Sequence, residues 1–393
     1  MAAKRPRKRL HPRELGRWRL IAEFQSRLQG VCERRGVASS FEDPRRKLEL
    51  GQYLGLFLFG LLNPAVRTMR ALCSASALAR LQREICGRPV SLGSFSETQA
   101  VVDPGLLEAV FQDLAREVEP NSANPALGGQ RLWSIVDSTL WETLPRMHWA
   151  LWRHQGRSQT AVRLHVGLHL IEEAKPAQAR ITAGRVCERK AWREMWQPGD
   201  AYVGDRYYGE DYRLFGELDS LGCAFVLRLR DEAVIDIEQE LPLSPADRAA
   251  HVTRQAWAVL GCKKRYRSMR VRLVWVETPK EVLILVANQP PENLSAELVA
   301  ELYRQRWKVE LFFRWIKCIL GCRHWLAESP RGVAIQIYLA LIAALLLQLY
   351  SGRRPTRRMM ELIQLYLMDV ATLEELEAGL ARELTRLQKR AKR

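Results

Sequence analysis

Residues 303–317, YRQRWKVELFFRWIK, contain the pattern that decides how this chain is interpreted. Four polar side chains recur there at helical spacing: Tyr303, Arg306, Glu310 and Lys317. At about 100° per residue, the four fall within a stripe roughly 60° wide on one face of an α-helix. A carboxylate suits a divalent cation, while two cationic groups and a hydroxyl suit phosphate oxygens. The stripe therefore predicts a site for a metal ion and a phosphodiester; the alternative is a charged surface helix with Arg–Glu pairing along it.

An aspartate follows a short apolar run at two places upstream. Asp137 closes the run 131–136, and Asp205 closes the run 201–204. Such runs are typical of buried strands, and functional groups in open α/β sheets gather at the carboxyl ends of strands. Both aspartates are thus placed where a metal ligand would be useful. For Asp137, the alternative is an aspartate that starts a turn or caps a helix.

The residues after Asp205 distinguish it from two neighbouring acids. A helix is predicted over 211–221, and Gly222 is expected to end it before a strand over 223–230. Asp211 and Asp219 fall on that helix, where a carboxylate more often faces solvent. Asp205 is therefore the predicted second carboxylate of the site.

The spacing Tyr-x2-Arg-x3-Glu-x6-Lys, preceded by two such aspartates, resembles the signature of the DDE transposases of bacterial insertion sequences, of the insertion-sequence-four type. The resemblance extends from about residue 131 to 325, and more loosely over both flanks. It implies an α/β fold with an RNase H-like mixed sheet and flanking helices, interrupted by a β-rich insertion, with helical N- and C-terminal regions. The site residues that it implies are catalytic and metal-binding Asp137, Asp205 and Glu310, and DNA phosphate-binding Tyr303, Arg306 and Lys317.

The activity that this resemblance implies is cut-and-paste DNA transposition. Two Mg²⁺ ions, for which Mn²⁺ can substitute, would be held by the three carboxylates and would stabilise the attacking and leaving oxygens at phosphorus. Water would free a 3′-hydroxyl at the end of the element, and that hydroxyl would attack target DNA. The implied partners are the terminal inverted repeats and the target DNA, bound by a homodimer that joins two ends. Two alternatives stay open: a structure-selective RNase H-like nuclease, and a non-catalytic DNA-binding relic of a transposase.

The composition favours a nucleic-acid partner. The chain has 61 Lys and Arg against 44 Asp and Glu, a formal net charge of +17, and such an excess binds polyanions through counterion release. The longest apolar stretch, 333–350, is short for a membrane span and is expected to be a buried helix, with no membrane partner. The eight cysteines are expected to be free thiols. We expect a cytoplasmic bacterial protein associated with the nucleoid.

Five segments follow from these positions. The predicted order is a helical N-terminal region that binds DNA ends (1–128), the first part of the catalytic core (129–230), the β-rich insertion (231–294), the rest of the core with the signature helix (295–330) and a helical C-terminal region (331–393). Alternating or Val-, Leu- and Ile-rich runs predict strands within the insertion at 233–238, 253–260, 268–277 and 281–287.

Two tryptophans lie in these predicted strands, Trp257 and Trp275. An indole there could stack on a base extruded from DNA. Packing in the core is the favoured interpretation, because a tryptophan in an alternating strand normally faces inward.

Overall fold

The computed structural model describes residues 19–38, 48–63, 65–66, 68–117, 132–154, 157–171, 173–261, 268–322, 325–351 and 353–391. The chain forms two compact units. The helical unit contains Met1–Val118, Thr143–Trp149 and Arg314–Arg393, and the sheet unit contains Glu119–Glu142 and Ala150–Phe313. The predicted boundary at 128/129 lies outside the described residues.

Helices occur in both units. They are α1 Arg19–Arg35, α2 Leu50–Leu62, α3 Met69–Ser76, α4 Ala79–Leu81, α5 Leu92–Val101, α6 Pro104–Glu117, α7 Glu188–Arg193, α8 Arg213–Ser220, α9 Pro245–Ala249, α10 Ala296–Gln305, α11 Trp307–Arg314, α12 Pro330–Ser351, α13 Arg357–Leu367 and α14 Leu373–Ala391. Two π-helical segments, Gln82–Cys86 and Trp315–Ile319, belong to the helical unit.

The strands found among the described residues all belong to the sheet unit. They are β1 Trp133–Glu142, β2 Leu151–His154, β3 Arg157–His169, β4 Lys175–Ala183, β5 Ala201–Gly204, β6 Ala224–Arg228, β7 Ile235–Leu241, β8 Val252–Leu260, β9 Val271–Glu277 and β10 Val282–Ala287. Each of the four strands predicted in the insertion is therefore present.

One mixed sheet organises this unit. The strand order is β2-β3-β1-β5-β6-β10-β9-β8-β7, and β4 also pairs with β3. β5 pairs in parallel with both β1 and β6, whereas β3 is antiparallel to β1. The predicted RNase H-like mixed sheet with a β-rich insertion is confirmed. β10 pairs with β6, so the strands of the insertion extend the same sheet.

Aromatic side chains fill one face of this sheet. Trp192 of α7 is 1% exposed, and its ring centroid lies 4.8 Å from that of Tyr208 and 5.5 Å from that of Tyr202. Phe215 of α8 stacks on Phe225 of β6 at 5.2 Å. Burying rings of this size supplies much of the hydrophobic free energy that holds α7 and α8 on the sheet.

The two insertion tryptophans face opposite sides of the sheet. In the register of β8 and β9, Trp257 lies opposite Arg272 and Trp275 lies opposite Arg254. Successive side chains of a strand face opposite sides of the sheet, so the two rings lie on different faces. Trp275 packs against the aromatic core. Each ring also has a guanidinium over it, Arg270 at 4.7 Å from Trp257 and Arg254 at 4.7 Å from Trp275. Both are partly buried and already stacked, which supports the packing interpretation.

The helical unit is built around two apolar helices. Nearly every residue of α2 is buried, and α12 contacts α2, α5 and α6. By length and composition, Pro330–Leu349 could cross a membrane, but 89% of its apolar stretch is buried inside the fold, as predicted for a core helix. The seven cysteines among the described residues are free thiols, in agreement with the sequence prediction.

Candidate active site

The pairing of two parallel strands brings Asp137 and Asp205 to the same edge of the sheet. β1 and β5 pair up to Ile135 and Val203, and each aspartate lies two residues beyond that last pair. The carboxyl ends of parallel strands share one edge, so the two carboxylates come level with each other.

The predicted end of the first strand at Asp137 is wrong. β1 continues to Glu142 because β3 keeps pairing with it along its whole length, so Asp137 lies in the middle of a ten-residue strand. β5 does end at Gly204, immediately before Asp205.

The signature segment is not one continuous α-helix. Tyr303 lies near the end of α10, Arg306 lies between α10 and α11, and Glu310 lies on α11. Lys317 falls in the π-helical segment Trp315–Ile319, where the turn is wider than in an α-helix, and belongs to the helical unit. The other five predicted site residues all belong to the sheet unit.

Arg306 bridges two of the predicted carboxylates. Its Nη2 donates to Glu310 Oε1 at 2.7 Å, and its Nη1 lies 3.5 Å from Asp137 Oδ2. The Arg306 and Asp137 side chains are 18% and 17% exposed, so this pairing is screened less than one at the surface. Among the described residues, no three His, Cys, Asp or Glu side chains are arranged to hold a metal ion. In this arrangement a guanidinium supplies the positive charge.

Burial and crowding of negative charge raise the pKa of Asp137 to about 7. Burial is the largest cause, and the carboxylates of Asp205 and Glu310 act in the same direction. The backbone N–H of Ser138, which donates to Asp137 Oδ1 at 2.7 Å, and the charge of Arg306 act against them. Such a group of carboxylates favours an added cation, since a cation stabilises the ionised form of a buried carboxylate and offsets the repulsion between the charges.

The turn after β5 fixes Asp205. The backbone N–H of Tyr207 donates to Asp205 Oδ1 at 2.9 Å. Gly209 follows, and a Cβ there would lie 2.0 Å from the carbonyl oxygen of Arg228, so the close approach of this turn to β6 requires glycine.

Asp211 and Asp219, the two alternatives to Asp205, contact other partners. Asp211 pairs with Arg213 at 3.1 Å and Arg193 at 3.5 Å, and Asp219 accepts from Asn288 Nδ2 at 2.9 Å. Neither is among the main charges that shift the pKa of Asp137. The choice of Asp205 as the second carboxylate stays a prediction, and its position two residues beyond the β1–β5 pairing supports it.

Sequence reasoning missed Tyr208 and Arg228. Tyr208 is 1% exposed, and burial together with the charges of Asp137 and Asp205 raises the pKa of its hydroxyl well above the ordinary value. The charge of Arg228 acts to lower the pKa of Tyr303, and Arg228 pairs with Glu281 at 2.7 Å. The position of Tyr208, three residues after Asp205, was the available signal, because a turn can place such a residue beside the aspartate.

The insertion supports the start of the signature segment. Asp247 of α9 accepts the backbone N–H of Glu297 at 2.8 Å, in the first turn of α10. Ser295 caps the same helix by accepting from the backbone N–H of Leu298 at 3.2 Å. Both acceptors satisfy amide groups that a helix start leaves unpaired, which fixes α10 and hence Tyr303.

The donor set fits a hard divalent cation. Asp137, Asp205 and Glu310 offer carboxylate oxygens, which are the ligands that Mg²⁺ prefers. Burial and the charges of Asp205 and Glu310 raise the pKa of Asp137 even with Arg306 in place, and a bound cation would act in the opposite direction.

The sequence of this chain is similar to a known protein family and to several known proteins. A family model described as "Transposase DDE domain" matches residues 129–346. A putative transposase y4zB of Sinorhizobium fredii is 43% identical over 73% of this chain and 83% of its own length. A putative transposase for insertion sequence element IS4SA of Synechocystis is 23% identical over 77% of this chain and 82% of its own length. A probable transposase for insertion sequence element IS5377 of Geobacillus stearothermophilus is 29% identical over 54% of this chain, which covers 55% of that relative.

Proposed function

Because this chain belongs to the transposase DDE domain family, we propose that it cleaves DNA at the ends of an insertion sequence and joins the freed ends to target DNA. The single observation that carries the proposal is the cluster formed by Asp137, Glu310 and the arginine between them, beside the turn that holds Asp205. Cleavage and strand transfer at phosphorus need such an acidic cluster at the reacting group.

Asp137, Asp205 and Glu310 would hold two Mg²⁺ ions. When bound, the ions would stabilise charge on the attacking and leaving oxygens of an in-line displacement. The Asp137 side chain is only 17% exposed, and its attraction for a cation there is stronger than it would be in bulk water. The family resemblance and the donor chemistry support this assignment.

Arg306, Tyr303 and Lys317 would bind phosphates of the DNA backbone. Arg306 has a forked guanidinium that can donate to two phosphate oxygens. When metal ions bind, Asp137 and Glu310 would contact the ions instead of Arg306. The Tyr303 ring lies 5.9 Å from the Arg306 guanidinium, and its hydroxyl pKa is raised, mainly by burial, so it remains a donor near neutral pH. Lys317 would add a further positive charge.

The proposed partners are DNA in two forms, the terminal inverted repeats and the target. The net charge of +17 supports DNA binding. A homodimer is proposed for the complex that joins two ends, because both ends must react together. The proposed location is the bacterial cytoplasm at the nucleoid, where the DNA lies.

Cleavage of a DNA fragment that carries the inverted repeats flanking this reading frame tests the proposal. We expect Asp137→Asn, Asp205→Asn and Glu310→Gln each to abolish Mg²⁺-dependent cleavage while mobility-shift assays still detect end binding. Asp219→Asn is the matched control, since asparagine can still accept from Asn288, and it should cleave like the parent. Full cleavage by Glu310→Gln would exclude the assignment.

A strand-transfer assay with pre-cut ends separates transposase from nuclease. The proposal expects the 3′-ends to become joined to a target plasmid. Cleavage without any joining would favour the structure-selective nuclease, and end binding without cleavage by the parent would favour a non-catalytic relic.

A further inference from the structure

Arg163 is a buried cation that the proposed chemistry does not use. It lies on β3 and is 9% exposed. Its Nη1 donates to Ser138 Oγ at 3.0 Å and pairs with the Glu188 carboxylate of α7, and its Nη2 lies 3.5 Å from the carbonyl oxygen of Gly184. Removing a guanidinium from water is costly, so the three contacts must compensate for it.

Ser138 is the connection between this cation and the candidate site. Its backbone N–H donates to Asp137 Oδ1 at 2.7 Å, and its hydroxyl accepts from Arg163. Ser138 is thereby held at two points, one on the carboxylate and one on the buried arginine. Beyond Ile135, β1 keeps its pairing with β3 but not with β5, so these contacts add to β3 in fixing the strand where Asp137 lies.

We propose that Arg163, anchored by Glu188, is a positioning residue that orients the Asp137 carboxylate through Ser138. The inference rests on the proposed function, in which Asp137 binds metal ions. A carboxylate held at one angle binds a cation more tightly than one free to rotate, and outer partners of metal ligands commonly change metal affinity by roughly 10- to 100-fold. Arg163 touches neither the DNA nor the reacting atoms in this assignment.

Mg²⁺ binding and Mg²⁺-dependent cleavage by the full-length protein test the inference. Isothermal titration of DNA-free protein gives the affinity, and cleavage at increasing Mg²⁺ gives the half-saturating concentration and the rate at saturation. We expect Ser138→Ala and Arg163→Met to weaken Mg²⁺ binding roughly tenfold and to raise the half-saturating concentration equally. The rate at saturating Mg²⁺ should stay within about threefold of the parent, and Arg163→Lys should be intermediate.

Arg180→Met is the matched control, since Arg180 lies on β4 and pairs with Glu194, whereas Arg163 contacts Ser138. It should bind Mg²⁺ like the parent. If Arg163→Met does not fold, Ser138→Ala alone tests the inference, because it removes only a single oxygen and is expected to leave the fold intact. Parental Mg²⁺ affinity in Ser138→Ala would overturn the inference. Should Asp137→Asn abolish metal binding while Ser138→Ala leaves it intact, only the positioning role fails; unchanged binding and cleavage by Asp137→Asn would defeat the proposed function itself.

Discussion

The Arg306 guanidinium donates to the Glu310 carboxylate at 2.7 Å, one helical turn further along the chain. The same guanidinium reaches Asp137 on β1. An arginine thus neutralises two of the carboxylates that the proposed function assigns to metal ions. Binding of a cation and release of Arg306 toward a DNA phosphate would then be linked steps.

Replacing Arg306 by methionine should strengthen Mg²⁺ binding in the absence of DNA. Loss of the competing charge should increase the affinity about three- to tenfold, as measured by isothermal titration calorimetry. Binding to the DNA ends should weaken in the same variant, because a phosphate contact is lost. Arg304→Met is the control, since Arg304 pairs with Glu301 on α10 and should leave Mg²⁺ affinity unchanged. Weaker Mg²⁺ binding by Arg306→Met would contradict the linkage.

Stability should fall as the pH drops below about 6.5, in part because of His165. This side chain is 2% exposed; its Nε2 lies 2.9 Å from Thr182 Oγ1, and burial, aided by Arg163 and Arg180, lowers its pKa to about 3. The unfolded chain takes up a proton near pH 6.5 while the folded chain does not, so stability is complete above pH 6.5 and is lost between about 6.5 and 3.

Urea unfolding at pH 7 and pH 5 measures this contribution. The free energy of unfolding of His165→Gln should fall by about 2 kcal/mol less than that of the parent between pH 7 and pH 5. The reason is that pH 5 lies about 1.5 units below the unfolded pKa, which corresponds to about 2 kcal/mol for one proton. An equal loss in both proteins would show that His165 is not responsible.

Two glycines that follow Asp205 in the chain, Gly209 and Gly216, should respond in opposite ways to alanine. Gly209→Ala would place a methyl group against the Arg228 carbonyl, and we expect a loss of about 3 kcal/mol in the free energy of unfolding. Gly216 lies within α8 with no atom within 4 Å of an added Cβ, so Gly216→Ala should gain about 0.5–1 kcal/mol from helix propensity. Denaturant unfolding compares the two. A tolerated Gly209→Ala would mean that the turn does not pack on β6 as described.

Cys187 should react with iodoacetamide long before Cys322. Burial alone would raise the pKa of Cys187, but hydrogen bonds from backbone N–H groups of Lys190 and Arg189 and from the Tyr207 hydroxyl lower it, and the residue is exposed. Burial raises the pKa of Cys322 to about 12, and the residue is 1% exposed. Thiolate fraction and access both favour Cys187.

Peptide mass spectrometry at pH 7 follows the labelling. We expect at least a hundredfold difference in rate between the two thiols, and Cys187→Ser should remove the early product without changing the labelling of Cys322. Comparable rates for the two cysteines would rule out the described environments.

Many strands and helices of this fold can be predicted from short-range patterns in the sequence. Alternation in the insertion predicts β7 to β10, because side chains of a strand face opposite sides of the sheet at every second residue. The helix before Gly222 follows from the glycine that ends it, and the buried helix at 333–350 follows from the length of its apolar run. The spacing of Tyr303, Arg306, Glu310 and Lys317, with two aspartates upstream, resembles the signature of the family, and that resemblance pointed to the site residues.

The sequence by itself determined which residue types are available and where most of the strands and helices form. Only the tertiary structure decided that Asp137 lies mid-strand beside Asp205, that Arg306 bridges two carboxylates, and that Arg163 and Tyr208 lie beside them. These relationships depend on strand pairing and helix packing between residues far apart in the chain. No local propensity encodes such contacts, because they form only when burial of the whole sheet offsets the entropy of closing the loops between them.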